Sequence, residues 1–426
     1  MDKLRGMKLQ TDAETVTAQA RWPELEESER RVLLELLLHR PQPRIRLAES
    51  LGLSRTSLTR IARRLLGLGL IVQDDVSEPN GRGRPSETLR LRGEAAHFLG
   101  IKVVGDGLVV SLTDLEGNVV GGWSEQLRSR GVDEVVAQIA EAARHPKSVS
   151  LSPVAVGIAI AGDVETRNKR AILRDSGFLG WDEVPLADLV VEATGLPTVV
   201  ANDVDVLTAA HHWFGGRPLR DPLVVIAVGA GIGSGIIVNS ALVEGRHGRS
   251  GRVGHLRLGG EGRTCNNGHA DCIHAYVTIP AIEHNAGVGT GEYETALARA
   301  RDGEERALEA FRRAAFALGA AVAESINSID PERLALMGEG LAMLDLAAGE
   351  FERGLKDSLE RVSLSEPLLE RPPFDFGLYS RGAAITAERQ LLSSRVARRD
   401  NRGDVVAVKG DQANPMPPTA RDGSRP

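Results

Sequence analysis

Apolar residues recur at helical spacing near the N-terminus and at strand spacing further along the chain. Over residues 26–39, Val32, Leu33, Leu36 and Leu37 share one stripe, which predicts a first helix. A second is expected over 45–51, with Gly52 just past its end. Ser54 is placed to cap a third, in which Leu58, Ile61, Ala62 and Leu65 recur at i, i+3, i+4 and i+7 and face inward. Two short strands are expected next, at 68–72 and 88–91. From Phe98 the pattern changes. Strands are expected at 99–104, 108–113 and 118–123, with Glu116-Gly117 turning the second hairpin, then a helix over 133–144 and a strand over 154–160. A similar succession follows: strands at 223–228 and 235–238, a long helix over 304–329, a strand at 333–337 and helix from about 341. Two β-rich halves, each followed by helices, predict a duplicated α/β fold with a cleft between its lobes.

This organisation divides the 426 residues into a loose N-terminus (1–22), a helical head with a hairpin (23–94), an α/β body (97–397) and a polar, proline-containing tail (398–426) expected to be disordered. The hydrophobic fraction of 42% and mean hydropathy of -0.15 fit a soluble protein with a sizeable core. Residues 222–243 carry no charge until the turn that follows them. Gly229, Gly231, Gly233 and Gly235 nevertheless break the run into two strands, and no membrane span is expected. No apolar stretch follows Asp2, Lys3 and Arg5, so no secretory signal is expected. Two cysteines cannot staple a chain this size, which points to the reducing cytoplasm.

Charge changes the picture more than composition does. The chain carries a net -6, yet residues 40–92 hold eleven arginines against five acidic residues. A basic module on an acidic body is the footprint of a nucleic-acid binder. On the third helix the polar face shows Arg55, Thr56, Thr59, Arg60 and Arg63. A guanidinium forks onto guanine or phosphate, and a short hydroxyl reaches either, so these five are candidates for the major groove. Between the two wing strands lies Gly81-Arg82-Gly83-Arg84-Pro85-Ser86, whose Arg82 and Arg84 suit a narrow minor groove. The head therefore reads as a winged helix-turn-helix directed at double-stranded operator DNA.

The body carries a more specific pattern. Val228-x-x-Gly231-Ile232-Gly233-x-Gly235-Ile236, followed by Gly245, Gly251, Gly254 and His255, resembles the signature of the ROK family. That family comprises bacterial repressors and sugar kinases on an actin-like, ribonuclease H-like fold. Gly180-Trp181, Asn202-Asp203 and Gly338-Glu339-Gly340 also resemble family landmarks, and the likeness runs over about residues 26–392. The resemblance implies a repressor-branch regulator, a homodimer or higher oligomer, whose body takes a carbohydrate effector.

The same resemblance argues against catalysis. Where the family's kinases have an Asp-x-Gly-Gly-Thr phosphate loop, this chain has Lys102-Val103-Val104-Gly105-Asp106. Valine blocks close backbone approach, and an acid repels phosphate. Neither ATP binding nor catalysis is therefore expected; the alternative is a sugar kinase with an accessory DNA-binding head. For the effector, the resemblance implies Asn202, Asp203, Arg252, His255 and His274. Arg252 and His274 replace family glutamates, which favours an acidic sugar derivative. The competing reading is that the pocket has lost ligand binding and Arg252 merely pairs with a neighbouring acid. The resemblance also implies a structural zinc on His255, Cys265 and Cys272, with Asn267 in place of a third cysteine. His269 or His274 could complete the shell; the alternative is a metal-free loop.

Overall fold

Leu25, Val32, Leu33, Leu36 and Leu37 bury the stripe that makes helix α1 (Glu27–His39) amphipathic. Its start is held by Glu29, whose Oε2 accepts the Glu26 N–H at 2.9 Å. A short strand β1 (Gln42–Pro43) leads into α2 (Arg44–Leu51), which Gly52 ends in a left-handed conformation. The Ser54 hydroxyl then accepts the Ser57 N–H at 3.1 Å and starts α3 (Arg55–Gly67). Strands β2 (Ile71–Val76) and β3 (Ser86–Leu91) pair antiparallel, and β1 adds to β3. The first wing strand starts three residues later than expected. Leu68 to Leu70 form the turn that leaves α3, with Gly69 at φ +68°. The structure, a computed structural model, describes residues 22–76, 86–167, 170–214, 221–260, 262–360, 367–393, 397–399 and 405–407. Arg82 and Arg84 lie outside them.

The first lobe is a meander, β4 (His97–Val103), β5 (Gly107–Asp114) and β6 (Val119–Gln126), continued by α4 (Val132–Arg144), α5 (Pro146–Leu151) and β7 (Ala155–Ile160). A small antiparallel sheet, β8 (Asp163–Arg167), β9 (Arg170–Ser176) and β10 (Trp181–Val184), then precedes α6 (Leu186–Thr194) and β11 (Thr198–Asn202). Strands β4, β7 and β11 run parallel, with β5 and β6 antiparallel beyond β4. The second lobe repeats this plan. Helix α7 (Asp203–Phe214) leads to the meander β12 (Leu223–Val228), β13 (Ile232–Val238) and β14 (Ala241–Leu242). Helices α8 (His274–Val277), α9 (Ile279–Ala286), α10 (Tyr293–Arg301) and α11 (Glu305–Ile329) come next, then β15 (Arg333–Met337), α12 (Met343–Leu346), α13 (Ala348–Ser358) and β16 (Leu368–Glu370). Here β12, β15 and β16 are the parallel strands. The duplicated fold expected from the sequence is present, and residues 222–243 form β12–β14. Among the described residues no helix is long and apolar enough to cross a membrane.

Helix α14 (Gly377–Leu392) lies directly on β4 and β7. It can do so because Gly100 and Gly157 have no side chain. A Cβ at either would sit 1.9 Å from a carbonyl oxygen of α14. The same helix also meets α1, and Leu33, Leu36 and Leu37 of the head share one core with Phe98, Leu115, Ala384 and Ala387 of the body. The head is thus packed against the body over a common apolar core. One expectation is corrected at the C-terminus: β17 (Ala397–Arg399) pairs with β11 and with β18 (Val405–Ala407), so ordered structure reaches past residue 398. The short apolar run at 405–407 has strand character that the polar composition around it concealed.

Candidate functional site: a basic helix face and a charged interlobe cleft

On the head, α3 turns Leu58, Ile61, Ala62 and Leu65 inward and leaves Arg55, Thr56, Thr59, Arg60 and Arg63 exposed. The five residues singled out from the sequence therefore share a face, but they are not equivalent. The Thr59 hydroxyl donates to the Arg55 carbonyl at 2.8 Å, and Arg60 lies 3.9 Å from Glu26. Arg64, on the flank, is drawn onto buried Glu29 at 2.9 Å, which ties α3 to α1. Arg55 and Arg63 have no carboxylate within 4 Å among the described residues. Exposed Arg46 on α2 shares that property, and the sequence pattern did not single it out.

In the body, the carboxyl ends of β4, β7 and β11 face those of β12 and β15, the usual place for a ligand in parallel α/β sheets. Lys102 comes from the end of β4 and is 4% exposed; its Nζ donates to Asp203 Oδ2 at 2.7 Å and lies 4.9 Å over the Tyr379 ring. Asp203 opens α7, with Val204 N–H donating to the Asn202 and Asp203 side chains at 2.8 and 2.9 Å. Burial raises the Glu339 carboxyl above its ordinary pKa, offset in part by Lys102. Burial likewise raises Asp205 to about 7, with Glu244 and Asp203 adding to the shift. Beside Glu339 lies an open recess of about 560 Å³, lined by Gly338, Leu341 and the segment 371–376.

Asn202 donates its amide to the Gly162 carbonyl at 2.8 Å, which places it beside Asp163. Asp163 in turn receives two guanidinium groups: Arg249 Nε at 2.9 Å and Arg252 through its terminal nitrogen. The expected effector arginine is therefore paired with an acid, as the competing reading required, and Arg249 joins it. On the same strand Glu165 accepts from His247 at 2.9 Å, and this hydrogen bond lowers its pKa. Neither Asp163 nor Arg249 was evident from the sequence; the only signal was Arg249 standing three residues before Arg252. Burial, with His255 beside it, pushes the pKa of His274 down.

His255, Cys265 and Cys272 converge so that one ligand atom from each lies within 4.8 Å of the others, a group that could hold a metal ion. His255 Nδ1 is 3.8 Å from both sulfurs. His269 Nδ1 stands 3.1 Å from His255 Nδ1 and 3.6 Å from Cys265 Sγ. Of the two histidines left open by the sequence, His269 approaches His255 and Cys265, without joining the three-residue group itself. His274 instead stacks on the His255 ring, 5.3 Å away and 12° from parallel. Asn267 lies on the far side, its amide 3.4 Å from His255 Nε2. Burial raises the Cys265 thiol, but N–H groups at His269 and Asn267 outweigh it, so the net shift is downward towards the thiolate that metals bind.

The ROK family model matches residues 98–362, well over half of the chain. The chain belongs to the ROK family. Within it, the chain is 29% identical over 230 residues to the glucokinase of Thermotoga maritima, covering half of this chain and 71% of that enzyme. It is 25% identical over 248 residues to the DNA-binding transcriptional repressor Mlc of Escherichia coli, covering 57% of this chain and 60% of the repressor. Among solved structures, a ROK family transcriptional regulator homologous to Mlc superposes with a TM-score of 0.72 at 24% identity, covering 86% of this chain and 96% of its own. At that identity the likeness speaks for the fold.

Proposed function

We propose that this ROK protein is a transcriptional repressor. Residues 23–94 form a winged helix-turn-helix that reads operator DNA, and the body senses a carbohydrate-derived effector without catalysis. The observation that carries the reading is the face of α3, where Arg55 and Arg63 stand exposed on the recognition helix of a basic head, with no carboxylate within 4 Å among the described residues. Similarity to Mlc and to the xylose repressor of Bacillus subtilis supports it. The protein would act as a cytoplasmic homodimer whose two heads meet half-sites about 10 base pairs apart. Selecting sequences bound by the full chain from random duplexes should enrich such a paired motif. Failure to enrich any sequence at low salt would overturn the reading.

In the body, Lys102 holds the carboxylate that would deprotonate an acceptor hydroxyl, which supports a sensing role. A sugar kinase is the second reading, favoured by the recess beside Gly338 and Glu339. A coupled ATP-turnover assay over a sugar panel separates the two, and turnover would favour the kinase. The effector is acidic in this proposal, because Arg249 and Arg252 meet at Asp163, next to the Gly162 carbonyl that Asn202 holds. Its binding would shift the balance between lobe arrangements and so alter operator affinity. Zinc, held by His255, Cys265, Cys272 and His269, would brace the loop over residues 255–274 without entering any chemistry. Metal analysis should find one zinc per chain, lost in His269→Ala and kept in His274→Ala; retention in both would reject His269 as a ligand.

A further inference from the structure

We infer that Asp163 is an internal stand-in for the anionic group of the effector, and that Arg249 and Arg252 together form the anion subsite. This rests on the proposed sensing role of the cleft and specifies how the site would recognise its ligand.

Three observations carry it. The first is charge. Among the described residues, Asp163 is the one carboxylate within 4 Å of Arg249 and Arg252, since neighbouring Glu165 is engaged by Arg167, Arg174 and His247. Two guanidinium groups on one carboxylate leave a positive charge unanswered. The second is access. Asp163 is 17% exposed, whereas the Arg249 and Arg252 side chains keep 52% and 51% of their surface open to solvent. An incoming anion can therefore reach both arginines from the side opposite Asp163.

The third is rigidity of the arginine-bearing loop. Ser234 donates both its N–H and its hydroxyl to the Gly251 carbonyl, each at 2.9 Å, and a Cβ at Gly251 would meet the Ser234 carbonyl oxygen at 1.7 Å. At the other end of the loop a Cβ on Gly248 would lie 1.9 Å from the Val164 carbonyl oxygen. Both glycines have positive φ. The loop is thus pinned against β13 on one side and β8 on the other, so the backbone that carries the two arginines needs little ordering when a ligand arrives. Position then names the ligand class. Gly162, next to Asp163, accepts from Asn202, so the anion subsite adjoins the pair assigned to sugar hydroxyls. The ligand is a sugar bearing a phosphate or carboxylate; a phosphate monoester, close to doubly charged near neutral pH, matches two arginines better than a carboxylate does.

The test is calorimetry on the full chain, without DNA, using inorganic phosphate as the probe of the subsite. Asp163→Asn removes the internal competitor and should tighten phosphate binding about tenfold or more, whereas Arg249→Gln should weaken it by a similar factor. The gain in Asp163→Asn cannot arise from misfolding. Equal phosphate affinity in the wild type and both variants would overturn the proposal, as would weaker binding in Asp163→Asn. Glucose 6-phosphate, glucuronate and glucose form the second arm: the first two should gain from Asp163→Asn and the neutral sugar should not. If phosphate behaves as expected while operator affinity ignores every ligand, the subsite stands and the sensing role fails. If operator binding responds to a sugar but the variants leave anion binding unchanged, the subsite alone fails.

Discussion

The head and the cleft of this protein use arginine in opposite ways. On α3, Arg55 and Arg63 point to solvent with no carboxylate at hand among the described residues, so their counter-charge has to come from outside. In the cleft, Arg249 and Arg252 close on Asp163, and Lys102 closes on Asp203. The same cations thus serve attraction in one place and internal neutralisation in the other. What differs is whether the fold brings an acid within about 4 Å: an exposed, unpaired cation attracts phosphate at full strength, and an internal carboxylate weakens that attraction without cancelling it where two guanidinium groups share one acid.

The contrast would break most severely at Lys102. Replacing it with Met leaves the Asp203 carboxylate facing Glu339 without its cation, and removing one member of a buried pair typically costs about 3–5 kcal/mol. Lys102→Met should unfold at markedly lower denaturant concentration than the wild type, and adding Asp203→Asn should recover part of the loss. Unchanged stability in the single variant would show that the pair neutralises nothing of consequence.

The head responds through affinity instead. Arg55→Ala with Arg63→Ala removes two contacts from each of the two heads of the proposed dimer; at about 1 kcal/mol per contact, operator binding should weaken roughly 1,000-fold and the slope of log affinity against log salt should fall by about four. Effector affinity in the isolated protein should not move. A preserved salt slope would remove α3 from the interface.

The junction between the two regions gives the sharpest distinction. Glu388 of α14 is fully buried where α14 meets α1, and neither carboxylate oxygen has a hydrogen-bond partner among the described residues. Burial raises its pKa well above the ordinary value, with Asp114 adding to the shift and Arg40 opposing it. The folded state therefore keeps this proton after the unfolded chain has lost it. The contribution is fully present below about pH 4.5 and is lost, at up to about 1.4 kcal/mol per pH unit, as pH rises through the raised value. Glu388→Gln should match the wild type in acid and exceed it near pH 8 in thermal unfolding. Parallel pH profiles for the two proteins would rule out a buried, protonated Glu388.

Much of this was legible along the chain because it depends on local pattern. The i, i+3, i+4, i+7 spacing of Leu58 to Leu65 placed α3 and hence its polar face, and the apolar runs at 223–228 and 333–337 became β12 and β15. Strand starts were less legible where a turn intervened, as at Leu68 to Leu70. The small sheet β8–β10 and helix α14 gave no comparable signal, because short strands of mixed polarity and a helix buried on several sides lack a clean period. The site was half legible. Asn202, Asp203, Arg252, His255, Cys265 and Cys272 stand out by motif, whereas Asp163 and Arg249 lack one and become partners only across 86 residues of chain.

The sequence by itself determined the order of parts, a basic head before a duplicated α/β body. It also determined the cationic residue where a phosphate loop would need an acid, since both are properties of residue type and spacing. Only the tertiary structure decided which charges meet: Lys102 with Asp203, Arg249 and Arg252 with Asp163, and His269 rather than His274 beside the cysteines. Electrostatic pairing falls off over a few ångströms, and distances on that scale between remote residues exist only once the sheets and helices have packed.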